Sequence, residues 1–169
     1  MESSSVPTDV ALRELAQAVA GEALRQRLML VTAESCTGGW VAKTLTDLPG
    51  SSAWFDAGVV TYSYEAKQAL LGVDPRTLER VGAVSEEIAL EMVSGAQARF
   101  GAGVAVAVTG IAGPSGGTAD KPVGTVWIAW KRRGGYAHAQ RFHFAGDREA
   151  VRRQTVAVAL IGLRKTLTE

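Results

Sequence analysis

The sequence has few of the residues on which several classes of function depend. Its 169 residues include one cysteine, Cys36, and two histidines, His138 and His143. A single cysteine cannot form an intramolecular disulfide, which fits a reducing compartment. One cysteine and two scattered histidines also match no metal-ligand spacing, so we expect neither a metal site nor a cofactor.

Net charge and long apolar runs are also lacking. The chain has 18 Lys and Arg against 17 Asp and Glu, a formal charge of +1, which gives no basis for sequence-independent binding to nucleic acid. No apolar run reaches the length of a membrane span, and the first five residues lack the basic and apolar parts of a signal peptide. We therefore expect a cytoplasmic protein that binds neither nucleic acid nor a membrane.

What is present predicts one α/β domain over residues 1–169, with residues 1–7 as a flexible lead. Helical and strand patterns alternate, so we expect a three-layer α/β/α sandwich with a mixed, mostly parallel sheet, in which a late hairpin forms one antiparallel pair. Helices are predicted over residues 9–27, 37–48, 65–71, a short stretch after Asp74, 86–100 and 148–167. Strands are predicted over residues 28–33, 57–62, 103–109, 123–130 and 136–144.

The central feature is the turn at residues 28–40, where an apolar strand gives way to small polar residues before a helix. Ser35 lies at this turn and is either a helix cap or a nucleophile. The backbone N–H groups of Cys36, Thr37, Gly38 and Gly39 form a candidate oxyanion hole. Cys36 is a rival nucleophile, or a buried core residue.

A nucleophilic serine needs a base. His138 and His143 are five residues apart in one predicted strand and so lie on opposite faces, which disfavours a Ser-His-Asp triad. Lysine is the remaining candidate, because a desolvated lysine can lose its proton near neutral pH. Lys67 follows the end of a predicted strand at a height comparable to Ser35; the alternative is a solvated surface lysine. Tyr62 either orients the base or a substrate amide, or is an amphipathic ring at the sheet edge.

A glycine-rich loop follows the second apolar strand and can cradle a phosphate through its N–H groups, although it matches neither a Walker A loop nor a dinucleotide fingerprint. Arg148, at the start of the last helix, is the candidate anion clamp, whereas we expect Arg152 and Arg153 to be solvated. The candidate substrate contacts at this loop are Thr109, Gly110, Gly113, Gly116 and Gly117.

Taken together, several blocks closely resemble the CinA C-terminal domain family over residues 28–154. They are Thr-Ala-Glu-Ser-Cys-Thr-Gly-Gly at 32–39, Gly-Ser-Ser-Ala-Trp-Phe at 50–55, Thr-Tyr-Ser at 61–63 with Lys67, Gly-Ala-Val-Ser at 82–85, Gly-Ile-Ala-Gly-Pro at 110–114 and Lys-Pro-Val-Gly-Thr-Val at 121–126.

The resemblance implies hydrolysis of the carboxamide of nicotinamide mononucleotide (NMN) to nicotinate mononucleotide and ammonia, in the recycling of pyridine nucleotides to NAD. It implies Ser/Lys catalysis, with Ser35 as nucleophile, Lys67 as base and Tyr62 nearby, on a fold like that of anticodon-binding domains. Tyr64 stands where the family motif has Asn, which puts a direct substrate contact there in doubt. Some members carry a large additional N-terminal domain, and this chain resembles the stand-alone form.

Two other functions remain open at this stage. One is a nucleotide-binding regulatory module that has kept the pocket without the chemistry, and the other is an amidase or esterase that uses Cys36 or acts on a different substrate. We also expect a homo-oligomer, with a dimer favoured, because Trp40, Trp54 and Phe55 could pack against a partner subunit as readily as in a core.

Overall fold

The computed structural model describes residues 5–169, so the first four residues of the predicted flexible lead lie outside the described part. Residues 5–169 form six α-helices, one short 3-10 helix at Ser51–Ala53 and five strands. The helices are α1 (Asp9–Gln26), α2 (Trp40–Thr46), α3 (Tyr64–Leu71), α4 (Pro75–Val81), α5 (Glu86–Phe100) and α6 (Arg148–Thr168), and the strands are β1 (Leu30–Glu34), β2 (Phe55–Val60), β3 (Val104–Gly110), β4 (Thr125–Arg132) and β5 (His138–His143).

Side-chain caps explain where most of the helices begin. A hydroxyl or carboxylate just before the first turn accepts a hydrogen bond from a free backbone N–H of that turn. The capping residues are Thr8, Ser63, Asp74, Ser85 and Asp147. These caps fix the first residue of five of the helices found within residues 5–169.

The start of α2 was predicted wrongly. This helix begins at Trp40 rather than Thr37, and its N-cap is Gly39. Gly38 and Gly39 have φ angles of 61° and 97°, in the left-handed region that favours glycine. The two glycines therefore lengthen the turn after Ser35 by three residues before the helix starts.

The sheet order is β2-β1-β3-β4-β5. The β2-β1 and β1-β3 pairs are parallel, whereas the β3-β4 and β4-β5 pairs are antiparallel. The antiparallel pair predicted for the late hairpin is confirmed as β4-β5. The second antiparallel pair, β3-β4, was not predicted, and it arises because β4 lies between β3 and β5. Only β4 runs against the others, so the prediction of a mixed, mostly parallel sheet is confirmed.

Helices cover both faces of the sheet, as predicted. One core packs α1, α2 and α6 against the sheet through residues such as Leu12, Val41 and Leu160. A second core on the other face includes Leu71 of α3 and Ile88 of α5. Burial of these apolar side chains, at about 25 cal/mol per Å², fixes the three layers.

Trp54 is a core residue. It is 2% exposed and belongs to the first core, which corrects the suggestion that it could pack against a partner subunit.

Within residues 5–169, no helix is both long enough and apolar enough to cross a bilayer.

Candidate active site

The candidate site lies at the carboxyl edge of the three parallel strands. Glu34, the last residue of β1, pairs with Val60 of β2 and Val108 of β3. Just beyond it, the N–H of Ser35 donates to the carbonyl of Val108 at 3.1 Å, and the N–H of Thr61 donates to the carbonyl of Glu34 at 2.8 Å. The sheet therefore fixes Ser35 and Thr61 side by side, at the edge where ligands collect in open α/β folds.

Lys67 on α3 reaches this edge from the side. Its Nζ lies 3.0 Å from Ser35 Oγ, 2.7 Å from the Thr61 carbonyl oxygen and 3.3 Å from the Tyr62 carbonyl oxygen. The residue is 1% exposed, and burial lowers the pKa of its ammonium group below the ordinary 10.5. In the neutral amine, two N–H bonds satisfy the two carbonyls and the lone pair is left for the Ser35 hydroxyl.

This geometry distinguishes the two interpretations of Ser35. Its hydroxyl pairs with Lys67, while the N-cap of α2 is Gly39, so Ser35 is not the cap of this helix. Lys67 likewise is not a solvated surface lysine. A buried hydroxyl beside a desolvated amine is an arrangement that can serve nucleophilic catalysis.

Glu34 is a residue of the site that the sequence analysis missed. It is 1% exposed and accepts hydrogen bonds from the Thr37 hydroxyl at 2.6 Å and from the N–H groups of Val41 at 2.8 Å and Ala42 at 3.0 Å. Burial raises the pKa of this carboxyl, while these hydrogen bonds favour its ionised form. Glu34 thus caps α2 from the end of β1 and closes the turn that carries Ser35.

One of the predicted oxyanion donors is already hydrogen-bonded within the turn. Gly38 N–H donates to the carbonyl of Ser35, which removes it from the predicted oxyanion donors. The N–H groups of Cys36, Thr37 and Gly39 have no oxygen acceptor among residues 5–169. Arg152, expected to be solvated, instead donates to the carbonyls of Cys36 and Thr37 at 3.1 Å each.

Cys36 is a core residue in the structure. It is 5% exposed and packs with the first core. Burial, together with the nearby Glu34 carboxyl, raises the pKa of its thiol to about 12. Since the thiolate is the reactive form, this environment disfavours Cys36 as a nucleophile.

Tyr62, Arg148 and Gly113 meet at one side of the site. The Arg148 guanidinium donates to the Gly113 carbonyl at 2.7 Å and to the Tyr62 hydroxyl at 3.1 Å. Tyr62 is 61% exposed, so its ring is open to solvent. The structure therefore joins the glycine-rich loop to the segment that carries Lys67, through an arginine with a fork of donors.

The remaining predicted contacts are more closely packed. The Thr109 hydroxyl donates to the Ala83 carbonyl at 2.9 Å, and a Cβ at Gly110 would lie 2.7 Å from the Val126 side chain. Gly117 abuts the backbone of Val123, while Gly116 has a φ of 91° and more space. Their roles as substrate contacts stay predictions.

Tyr64, His138 and His143 make contacts elsewhere in the fold. The Tyr64 hydroxyl accepts from the N–H of Ala83 at 3.3 Å, so it ties α3 to the segment before α5. His138 stacks on Trp130, and the His143 ring lies 3.1 Å from the Val123 carbonyl. In the part of the chain described, no group of three His, Cys, Asp or Glu side chains is arranged to hold a metal ion.

The fold has three α/β/α layers, and a buried serine and lysine lie side by side at the carboxyl edge of its sheet. These features place the chain among α/β proteins that carry a candidate site for nucleophilic catalysis. The particular family follows from comparison with known proteins. The chain matches the CinA C-terminal domain over residues 12–167, and it belongs to that family.

Relatives of known name are close in sequence. The chain is 53% identical over 154 residues to the nicotinamide-nucleotide amidohydrolase PncC of Escherichia coli K12, covering 90% of this chain and 93% of that protein. It is 56% identical over 150 residues to the protein of the same name from Pseudomonas putida, covering 88% and 93%. These relatives are hydrolases by name.

Solved structures agree with the fold. A competence/damage-inducible protein from Agrobacterium tumefaciens superimposes with a TM-score of 0.91 at 46% identity, covering 98% of this chain and 99% of that one. A CinA superfamily protein from Klebsiella pneumoniae gives 0.89 at 43% identity, covering 93% and 98%.

Proposed function

We propose that this protein hydrolyses the carboxamide of NMN to nicotinate mononucleotide and ammonia, returning the pyridine ring to NAD synthesis. Support comes from the relatives named nicotinamide-nucleotide amidohydrolase, which share more than half of their aligned residues with the chain. The observation that carries the proposal is the 3.0 Å separation between Lys67 Nζ and Ser35 Oγ inside a buried site.

Acylation begins with neutral Lys67. Its lone pair takes the proton of the Ser35 hydroxyl while Oγ attacks the amide carbon, which gives a tetrahedral oxyanion. The ammonium of Lys67 then returns that proton to the amide nitrogen as the C–N bond breaks. Ammonia leaves, and the pyridine carbonyl remains as an ester of Ser35.

Deacylation repeats these steps with water. Lys67 takes a proton from a water molecule as the water oxygen attacks the ester carbon. The proton then passes to Ser35 Oγ when the C–O bond of the ester breaks. The product is a carboxylic acid that ionises at neutral pH, and the enzyme returns to its starting state. The carbonyls of Thr61 and Tyr62 keep the Lys67 amine aimed at Ser35 through both halves.

The oxyanion is stabilised by the turn after the nucleophile. Of the four predicted donors, the N–H groups of Cys36, Thr37 and Gly39 remain available there. Preorganised donors of this kind cost little reorganisation when charge develops, and the loss of one costs about 10²- to 10³-fold in kcat.

The nucleotide part of the substrate is assigned to the side of the site where Arg148 lies. Arg148, Tyr62 and the loop around Gly113 form a connected group with exposed donors. Contacts to the ribose phosphate there would orient the unreactive amide over Ser35 by binding the remote end of the substrate.

The test is ammonia release from NMN by the purified protein, with identification of the mononucleotide product. Ser35→Ala is expected to lower kcat by about 10³-fold or more, because it removes the nucleophile. Ser52→Ala, at an exposed position outside the site, is the matched control and keeps full activity. Tight NMN binding without turnover would instead favour a regulatory module and would refute the proposal.

A further inference from the structure

Arg152 holds the outside of the turn that follows Ser35. It lies on the second turn of α6, 116 positions after Cys36 in the chain, yet its Nε donates to the Cys36 carbonyl at 3.1 Å. Its Nη2 donates to the Thr37 carbonyl, also at 3.1 Å. One planar guanidinium therefore fixes two successive peptide units directly after the candidate nucleophile.

The local packing leaves Arg152 little freedom. Its guanidinium carbon lies 5.4 Å from the centroid of the Trp40 ring, and a Cβ at Gly38 would be 3.4 Å from its Nη2. Stacking on an aromatic face suits the planar cation. The Trp40 ring and the Gly38 backbone thus pack against the Arg152 guanidinium and hold it next to the carbonyls of Cys36 and Thr37.

The direction of each carbonyl determines the direction of the next N–H. In a trans peptide, C=O and N–H point to opposite sides. Because Arg152 binds the Cys36 oxygen, the N–H of Thr37 lies on the side of that peptide away from the guanidinium. Thr37 is fully buried, and no acceptor for its N–H is found within residues 5–169, so this N–H is a buried donor that the protein leaves unpaired.

We infer that Arg152 is a positioning residue for the hydrolysis, which sets the Thr37 N–H toward the oxyanion that forms at Ser35. The inference rests on the proposed function and assigns to Arg152 a role beyond it. A cation bound to the carbonyl also polarises the peptide, which strengthens its N–H as a donor. Arg152 acts through the backbone and does not touch the substrate.

Arg153 provides a matched control next door. Its guanidinium carbon lies 5.0 Å from the same Trp40 ring, but its hydrogen bonds go to Pro7, Asp9 and Glu149. The two arginines share a helix, a charge and a stacking partner. They differ in that only Arg152 donates to the turn.

The experiment measures kcat and KM for NMN in Arg152→Met, Arg152→Lys and Arg153→Met. A second reaction is followed in parallel, in which a fluorophosphonate modifies Ser35. There the Oγ–P bond forms, the P–F bond breaks, fluoride leaves and the hydroxyl proton passes to Lys67. This reaction develops charge on the phosphoryl oxygen and does not depend on NMN being the substrate.

Arg152→Met is expected to lower kcat and the phosphonylation rate by roughly 10- to 100-fold with KM little changed, less than the full loss of an oxyanion donor. Arg152→Lys keeps the charge but has no fork for two carbonyls, so its rates fall between those of wild type and Arg152→Met. If Arg152→Met fails to fold, the rates of Arg152→Lys alone test the inference. Arg153→Met stays within about twofold of wild type.

Several results would overturn the inference. These are rates for both Arg152 variants that match Arg153→Met, or a loss that appears in KM alone. If wild type is phosphonylated at Ser35 but leaves NMN intact, the proposed function fails while the phosphonylation rates still decide the role of Arg152. A wild type inert in both reactions overturns both.

Discussion

Lys67 Nζ lies 3.0 Å from Ser35 Oγ, and the same nitrogen meets the carbonyls of Thr61 and Tyr62. A lysine surrounded by neutral acceptors in a buried site gains nothing from a counter-ion, and the salt bridges found within residues 5–169 do not include it. Burial is therefore the largest influence on the pKa of Lys67, and it outweighs the opposing effect of nearby Cys36. It favours the neutral amine, the form that a general base requires.

The pH dependence of kcat follows from this relationship. Burial lowers the pKa of Lys67 below 10.5, so the active neutral form accumulates at lower pH than for an exposed lysine. We expect kcat to rise with pH and to level off above the lowered pKa. Steady-state rates with saturating NMN across the pH range check this, and a kcat that stays constant as the pH falls would refute it.

Cys36 is expected to be unreactive in the folded protein. With its thiol pKa raised to about 12, very little thiolate exists at pH 8. Iodoacetamide should modify Cys36 rapidly in urea and only slowly under native conditions, as followed by intact mass. Cys36→Ala, which keeps the backbone N–H, should retain turnover. Fast native alkylation that abolishes activity would point to a cysteine amidase instead.

Glu34→Gln tests the buried carboxylate that closes the turn. Both oxygens of Glu34 accept from backbone N–H groups, those of Val41 and Ala42. An amide at this position would place its NH₂ against one of these donors, which costs about 1–3 kcal/mol of unfolding free energy. Urea denaturation measures this cost, and Glu65→Gln at an exposed position is the control. Equal stability of the two variants would contradict the assignment.

Tyr62 and Arg148 should behave as one unit in substrate binding. Their 3.1 Å contact means that removal of either partner frees the other. Tyr62→Phe and Arg148→Met are each expected to raise KM several-fold, and the double variant should raise it no further than the larger single effect. A double-mutant cycle on KM measures the coupling. Fully additive effects would show that the two residues act separately.

Much of this arrangement can be predicted from the sequence. The run at residues 28–40 shows a strand that ends in small residues, and the scarcity of histidine leads from Ser35 to Lys67. Both steps depend on local pattern and on which residue types are present. The starts of helices with polar caps could be predicted for the same reason, since a cap lies within a few positions of the N–H that it binds.

The parts that could not be predicted are contacts made over long sequence distances. Arg152 and Arg153 are adjacent and chemically identical, yet only Arg152 reaches Cys36 and Thr37. The one signal available was the spacing of Arg148 and Arg152, which puts both on the same face of α6. Glu34 was missed because a carboxylate at the end of an apolar strand does not indicate which N–H groups it will accept from.

The central claim is that Lys67 is the base for Ser35, and the most direct measurement compares NMN hydrolysis by Lys67→Ala and Lys43→Ala. Lys43 is exposed and pairs with Asp47 at 2.7 Å, so its loss controls for the removal of a lysine. The account predicts that Lys67→Ala forms nicotinate mononucleotide about 10³-fold more slowly than wild type or worse, while Lys43→Ala stays within about twofold. Wild-type turnover by folded Lys67→Ala would contradict the account.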